Sequence, residues 1–207
     1  MPNKPHADEH ELRASLAALG VLTPAVEAAI GIARRVHGKQ KRFGGTPYLT
    51  EHTYPIALDV ANYLCRRSLR EYLELAVVVA LLHDALEDSD GAGVSGVREE
   101  LSVLFGKHVT EAVEILTKPA RDAHAGAEAR DNLYFSGLRM GPPAAKIVKV
   151  FDRLNNLACI HDNPEKVPEY VAETRRYHLT LAREVDPSLA ADMEQLTLRL
   201  DSKGTED

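Results

Sequence analysis

An apolar run, Leu75 to Leu82, leads directly into His83-Asp84-Ala85-Leu86-Glu87-Asp88, one imidazole and three carboxylates within six residues. The run reads as a buried helical segment. If the helix continues, Asp84 stands three and four positions before Glu87 and Asp88, so all three carboxylates lie near one face. Like charges at the end of a buried segment repel one another and resist desolvation. A bound cation resolves that conflict, and a catalytic role explains why it exists. The plain structural alternative is a helix that leaves the core and turns polar at its exposed end.

The rest of the chain punctuates itself as helices. Glu9 to Leu19 reads as a short helix stopped by Gly20. Thr23-Pro24 supplies an N-cap and a first-turn proline for a helix to about His37. Gly44-Gly45-Thr46-Pro47 makes Lys39 to Thr50 a loop, and a helix follows from about His52 to Cys65. Ser68-Leu69-Arg70-Glu71 has the form of a capping box for the helix that carries the opening stretch. Asp90 to Gly96 reads as a turn, and Gly106 separates two helices, Val97 to Phe105 and Lys107 to Leu116. Pro119 to Ala129 reads as a mobile loop, Arg130 to Met140 as helix, and Gly141-Pro142-Pro143 precedes a helix through Ile160. Asn163-Pro164 and Asp186-Pro187 start the last two helices, and Asp201 to Asp207 is expected to fray. Strand signals are scarce, with no internal repeat and no linker. The expectation is one all-α domain over residues 1–207, a helical bundle with its core at about 24–183.

At 207 residues the chain suits one domain with a proper core. A net charge of −6 leaves no basic surplus to neutralise phosphates, which argues against non-specific nucleic-acid binding but not against an anionic small molecule. Cys65 and Cys159 form no CxxC and read as two buried thiols. No stretch reaches the length of a membrane span, and the start lacks a signal-peptide apolar region, so a cytoplasmic protein is expected. Apolar helix faces near either terminus are compatible with a homo-oligomer.

Partners for His83 and Asp84 are to be sought on other helices. His52 opens the helix after the glycine loop, and Asp152 lies midway along the otherwise apolar Lys146 to Asn156 segment. A buried Asp needs an ionic partner or a metal; Arg153 and the nearby lysines are the alternative partners. His37 and His178 lie within helices and read as packed or surface residues.

The order His52, His83-Asp84, Asp152 resembles the HD superfamily of metal-dependent phosphohydrolases. Within it, His37 to Arg42, Gly45 to Tyr48, Ala80 to Asp88, Thr117-Lys118, Asp152 to Leu157, Pro164 to Lys166 and Glu173-Thr174 are similar to the guanosine-alarmone hydrolases. These are the small alarmone hydrolases and the hydrolase domain of Rel/SpoT enzymes. The resemblance implies that His52, His83, Asp84 and Asp152 hold a metal, normally Mn2+. Glu87 and Asp88 then handle the attacking water, Arg42 stacks on the base, and Asn156 lies near the sugar. Apart from the resemblance, Lys146 and Lys149 are candidates to reach substrate phosphate, with a solvated helix face as the plain alternative. It further implies hydrolysis of the 3′-diphosphate of (p)ppGpp to GDP or GTP and pyrophosphate. The chain ends soon after this region, so degradation without synthesis is expected. Phe43, where a basic residue often follows the arginine, and Ala158-Cys159, where Arg-Thr is common, depart from the pattern. The neighbouring readings are an HD enzyme acting on NADPH or an adenosine alarmone, or a nucleotide sensor without catalysis.

Overall fold

The structure, a computed structural model, describes residues 5–119 and 126–203, apart from the side chains of Phe43, Asp162 and Lys203. It is organised around one helix, α4 (Leu73–Leu82), in which Leu73 and every residue from Ala76 to Leu82 are buried. A helix that is apolar on all sides has no face to offer solvent and has to be surrounded. Its neighbours are α2 (Pro24–His37), α3 (Tyr54–Arg66), α6 (Val97–Leu116) and α8 (Pro143–Cys159). Truncating a fully buried leucine such as Leu81 or Leu82 to alanine costs about 2–5 kcal/mol in sites of this kind.

The remaining helices complete the shell. They are α1 (Glu9–Ala18), the single turn α5 (Ala85–Asp88), α7 (Ala127–Met140), α9 (Val167–Glu173), α10 (Leu179–Val185) and α11 (Pro187–Lys203). One hydrophobic cluster runs from Ala7 to Met193. Among the described residues the extended pairing is limited to an isolated bridge between Lys41 and Pro47, so the fold is all-α. No described helix is long and apolar enough to cross a membrane. Cys65 is half-buried, Cys159 is buried, and both thiols are free.

Local chemistry explains most boundaries. Thr23 Oγ1 accepts from the Val26 amide at 3.3 Å and caps α2. Gly20, at φ +74°, closes α1 with paired bonds from Val21 N to Leu16 O and from Gly20 N to Ala17 O, each 2.9 Å. Gly106, at φ +73°, kinks α6 where two helices were expected. Asp186 Oδ1 accepts from the Ser188 amide at 2.8 Å, as an N-cap for α11 should.

Several expectations are corrected. Ser68 does not open a capping box. It adopts φ +59° and closes α3, its amide bonding Cys65 O at 3.2 Å and the Leu69 amide bonding Leu64 O at 2.9 Å. This is the same closure that Gly20 gives α1, so Ser68 serves the helix before it, and a 3-10 turn (Arg70–Tyr72) leads into α4. The helix expected from His52 begins earlier, as a π-turn over Leu49–Thr53 that runs into α3. Helix α4 stops at Leu82, because Asp84 (φ −103°, ψ 2°) leaves the helical region before α5. Asn163 makes no side-chain cap and precedes a 3-10 turn, Pro164–Lys166. Residues 127–129 and 201–203 are helical where a loop and a frayed tail were expected; 120–125, 204–207 and the Phe43 side chain lie outside the described residues.

Candidate active site

The end of α4, the π-turn before α3, and α8 bring four polar side chains together in the core. His83 Nε2 lies 3.2 Å from His52 Nε2 and 3.0 Å from Asp84 Oδ2. His52 Nε2 lies 3.4 Å from Asp84 Oδ2 and 3.5 Å from Asp152 Oδ1. His52, His83 and Asp152 are buried and Asp84 is half-buried. His52, His83 and Asp84 form a compact group able to hold a metal ion, and Asp152 joins it from α8 through His52.

Both imidazoles are held by their other nitrogen. His83 Nδ1 donates to Ala80 O at 2.7 Å, and a carbonyl can only accept. That carbonyl belongs to the last turn of α4, where carbonyls lose their helical partners. His52 Nδ1 donates to Asn155 Oδ1 at 2.8 Å. Asn155 is itself fixed through Nδ2, which donates to Glu51 O at 3.1 Å. The π-turn and Asn155 together set the aim of His52.

This arrangement fits a divalent cation. With both Nδ1 positions protonated, the neutral imidazoles turn two Nε2 lone pairs toward each other, which is unfavourable without a positive charge between them. Ligand atoms bound at about 2.0–2.2 Å stand about 2.8–3.6 Å apart on an octahedral or tetrahedral edge, the range of the spacings seen here. The electrostatics agree. Burial opposes ionisation of Asp84, yet the His83 and His52 imidazoles hold its carboxyl well below the usual carboxylate range. Burial also weakens His83 as a base, but Asp84 and Asp152 override it and carry it up to about 9. For His52 burial prevails and lowers the pKa. A proton on His83 relieves part of the conflict, whereas a divalent cation would engage His52, His83 and Asp84 together.

Glu87 and Asp88 diverge, contrary to the single face expected of a continuous helix, because the break at Asp84 confines them to the one turn of α5. Glu87 lines a cleft of about 1070 Å3 together with Lys118, Arg130, Asp131 and Tyr170. Its carboxylate accepts the Lys118 amide at 3.2 Å. Although it reaches solvent at the cleft wall, desolvation, followed by the Asp84 charge, raises its pKa. Asp88 lines a different cavity, of about 680 Å3, with Arg34, Arg35 and Lys39. It accepts from Gln40 Nε2 at 3.0 Å, and buried His37 donates through Nδ1 to Gln40 Oε1 at 2.6 Å. His37, read as a packed histidine, therefore packs and also orients.

Arg42 donates to Asn155 Oδ1 at 2.9 Å and to Asn156 Oδ1 at 2.8 Å, and Asn156 Nδ2 donates to Asp152 Oδ1 at 2.6 Å. The expected base-stacking and sugar-side residues thus touch each other and the metal cluster. Lys146 does not reach the site: its Nζ donates to Arg139 O at 3.2 Å. One turn further along α8, Lys149 Nζ pairs with Asp152 Oδ2 at 2.9 Å and lies 5.6 Å from the centre of the Tyr134 ring. Tyr48, whose hydroxyl donates to Asp84, escaped the list of candidates, as did Asn155 and Gln40. Asn155 follows Asp152 by three positions on the buried face of α8, a spacing from which it could have been found.

The all-helical scaffold thus buries a His/Asp cluster able to hold a metal ion. A metazoan ortholog of SpoT, described as hydrolysing ppGpp and playing a role in starvation responses, shares the fold at a TM-score of 0.64 and 20% identity; the match covers 86% of this chain and 96% of that one. In sequence the chain is 28% identical over 158 residues to the guanosine-3′,5′-bis(diphosphate) 3′-pyrophosphohydrolase of Aquifex aeolicus, covering 76% of this chain and 21% of the relative. It is 28% identical over 182 residues to the GTP pyrophosphokinase of Myxococcus xanthus (84% and 22% covered), and 33% identical over 128 residues to the GTP pyrophosphokinase rsh of Brucella ovis (60% and 15% covered). The chain thus spans about a fifth or less of the length of these relatives, and it resembles the HD-type alarmone hydrolases in sequence and fold. No family model matches it.

Proposed function

We propose that this chain is a manganese-dependent 3′-pyrophosphohydrolase of (p)ppGpp, working in the cytoplasm as a single domain with its core over about 24–183. The observation that carries the reading is the convergence of two anchored Nε2 lone pairs and two carboxylates, of which Asp152 lines a small cavity that shares Lys118, Tyr170 and Glu173 with the cleft walled by Glu87. The similarity to a ppGpp 3′-pyrophosphohydrolase supports the choice of substrate.

His52, His83, Asp84 and Asp152 would hold the ion, which supplies Lewis acidity and lowers the pKa of water. Two imidazoles and two carboxylates suit manganese, and zinc or iron(II) would bind the same set more tightly in vitro. Glu87, with its raised pKa, takes the proton of the attacking water, as a base tuned toward neutrality does best. The water oxygen forms its bond to the inner phosphorus as the 3′-oxygen–phosphorus bond breaks. The 3′-oxygen leaves with GDP or GTP, and pyrophosphate is released. Asp88, held by Gln40 and His37, braces α5 from the opposite side and keeps Glu87 in the cleft wall. Arg42 offers a planar guanidinium to the base while Asn155 and Asn156 fix its plane.

Isotope labelling tests the bond that breaks. With ppGpp in H2 18O, the label should enter pyrophosphate and spare the nucleoside 3′-hydroxyl. Label in the hydroxyl, or turnover confined to NADPH or an adenosine alarmone under the same conditions, would reject the proposal.

A further inference from the structure

Next to Asp152 a second, small cavity of about 160 Å3 opens among α8, α9 and the π-turn Thr174–His178. Lys118, Tyr170 and Glu173 line both it and the large cleft. Its volume equals about five waters, enough for one phosphate group and too little for a nucleoside.

Two of its lining residues form a rigid pair. Arg153 Nη2 donates to Glu173 and to His178 Nε2, the latter at 2.5 Å, and its Cζ lies 4.9 Å from the centre of the Tyr170 ring. A guanidinium cannot accept, so His178 Nε2 is the acceptor, and the neutral ring carries its hydrogen on Nδ1. His178 is 1% exposed, and burial followed by the Arg153 charge keeps it neutral. Arg153 Nη1 and His178 Nδ1 are then both N–H donors. Both are buried, and neither has a hydrogen-bond partner among the described residues. Buried donors are almost always paired, so two orphans on residues that line one polar cavity point to an acceptor-rich ligand. The wall also carries Lys118 and Lys149; of its carboxylates, Glu173 is bound by Lys118 at 2.9 Å and by Arg153, and Asp152 faces His52.

We propose that this cavity is the subsite for the outer phosphate of the scissile diphosphate, with Arg153 Nη1 and His178 Nδ1 as its donors and Lys149 and Lys118 as its counter-charges. It rests on the reading of the site as a diphosphate hydrolase. Filling it leaves the inner phosphate beside Asp152, at the metal cluster. His178 has two roles: it aims Arg153 by accepting through Nε2, and it contacts the phosphate by donating through Nδ1. Leucine can do neither, whereas glutamine has one acceptor and a donor group to do both.

The test is binding of inorganic pyrophosphate and inorganic phosphate to wild-type protein, His178→Leu and His178→Gln, by calorimetry at fixed free manganese. Wild type should prefer pyrophosphate by more than tenfold. His178→Leu should lose about tenfold in pyrophosphate affinity, and His178→Gln should recover to within threefold of wild type. In wild-type protein the His178 Nδ1 proton resonance, identified by its loss in His178→Gln, should move on adding pyrophosphate; this arm holds even if the leucine variant does not fold. Equal pyrophosphate affinity in wild type and His178→Leu, no preference over phosphate, or an unmoved resonance each overturns the subsite. Selective pyrophosphate binding without ppGpp turnover would keep the subsite and remove the guanosine reading; turnover with unchanged binding in His178→Leu would do the reverse.

Discussion

Asn155→Ala should separate the fold of the π-turn from the affinity of the metal centre. The side chain accepts from His52 Nδ1 and Arg42 Nη1, and donates to the Glu51 carbonyl. Alanine deletes these hydrogen bonds, at a cost of about 1–3 kcal/mol. For a chain of this size about 2 kcal/mol corresponds to a Tm lower by about 4–8 °C. It also frees the His52 ring to turn, and losing an orienting partner of this kind weakens metal binding by about 10–100-fold. Thermal melting and calorimetric manganese titration of wild type and Asn155→Ala read the two effects separately. Manganese affinity within twofold of wild type in Asn155→Ala would refute the argument.

Other consequences follow from the same contacts. Glu87→Gln should lower kcat by about 10²–10⁴-fold and abolish an acidic limb of the kcat/KM profile lying above the usual carboxylate range. Because folding raises the Glu87 pKa, its contribution to stability falls as pH rises from its unfolded value through its folded one. The metal-free Glu87→Gln protein should therefore melt higher than wild type at pH 7, and a lower Tm would contradict the raised pKa. Lys149→Ala should raise KM for ppGpp and lower Tm, because it leaves buried Asp152 short of a cation, while Lys146→Ala should change kcat/KM by less than twofold. Ser68→Gly should stabilise by about 0.5–1 kcal/mol, since glycine adopts φ +59° without strain and chemical denaturation reads the difference directly.

The parts of the fold that were legible in the sequence are those decided locally. Gly20 and Thr23-Pro24 stop and start helices through their own backbones, and the apolar run before His83 can sit nowhere except the centre. Asp84 and Asp152 stand out because a buried carboxylate conflicts with its own segment, and the resemblance to the HD superfamily joins them to His52 and His83. What escaped depends on contacts between segments. Ser68 and Glu71 have the spacing of a capping box, yet closure of α3 claims Ser68 first. The break at Asp84 follows from docking the His83 ring against Ala80 and His52, which no helix propensity records. Lys146 and Lys149 are equivalent by composition, and only the rotation of α8 against the core turns Lys149 inward. Asn155 matters because it meets His52, about a hundred residues earlier in the chain.

The most direct test of the account is pyrophosphate release from ppGpp by metal-stripped protein, with and without added manganese, beside Asp84→Ala. The account predicts release that depends on manganese and is lost in the variant. Release by the stripped protein alone, or undiminished release by Asp84→Ala, would contradict it.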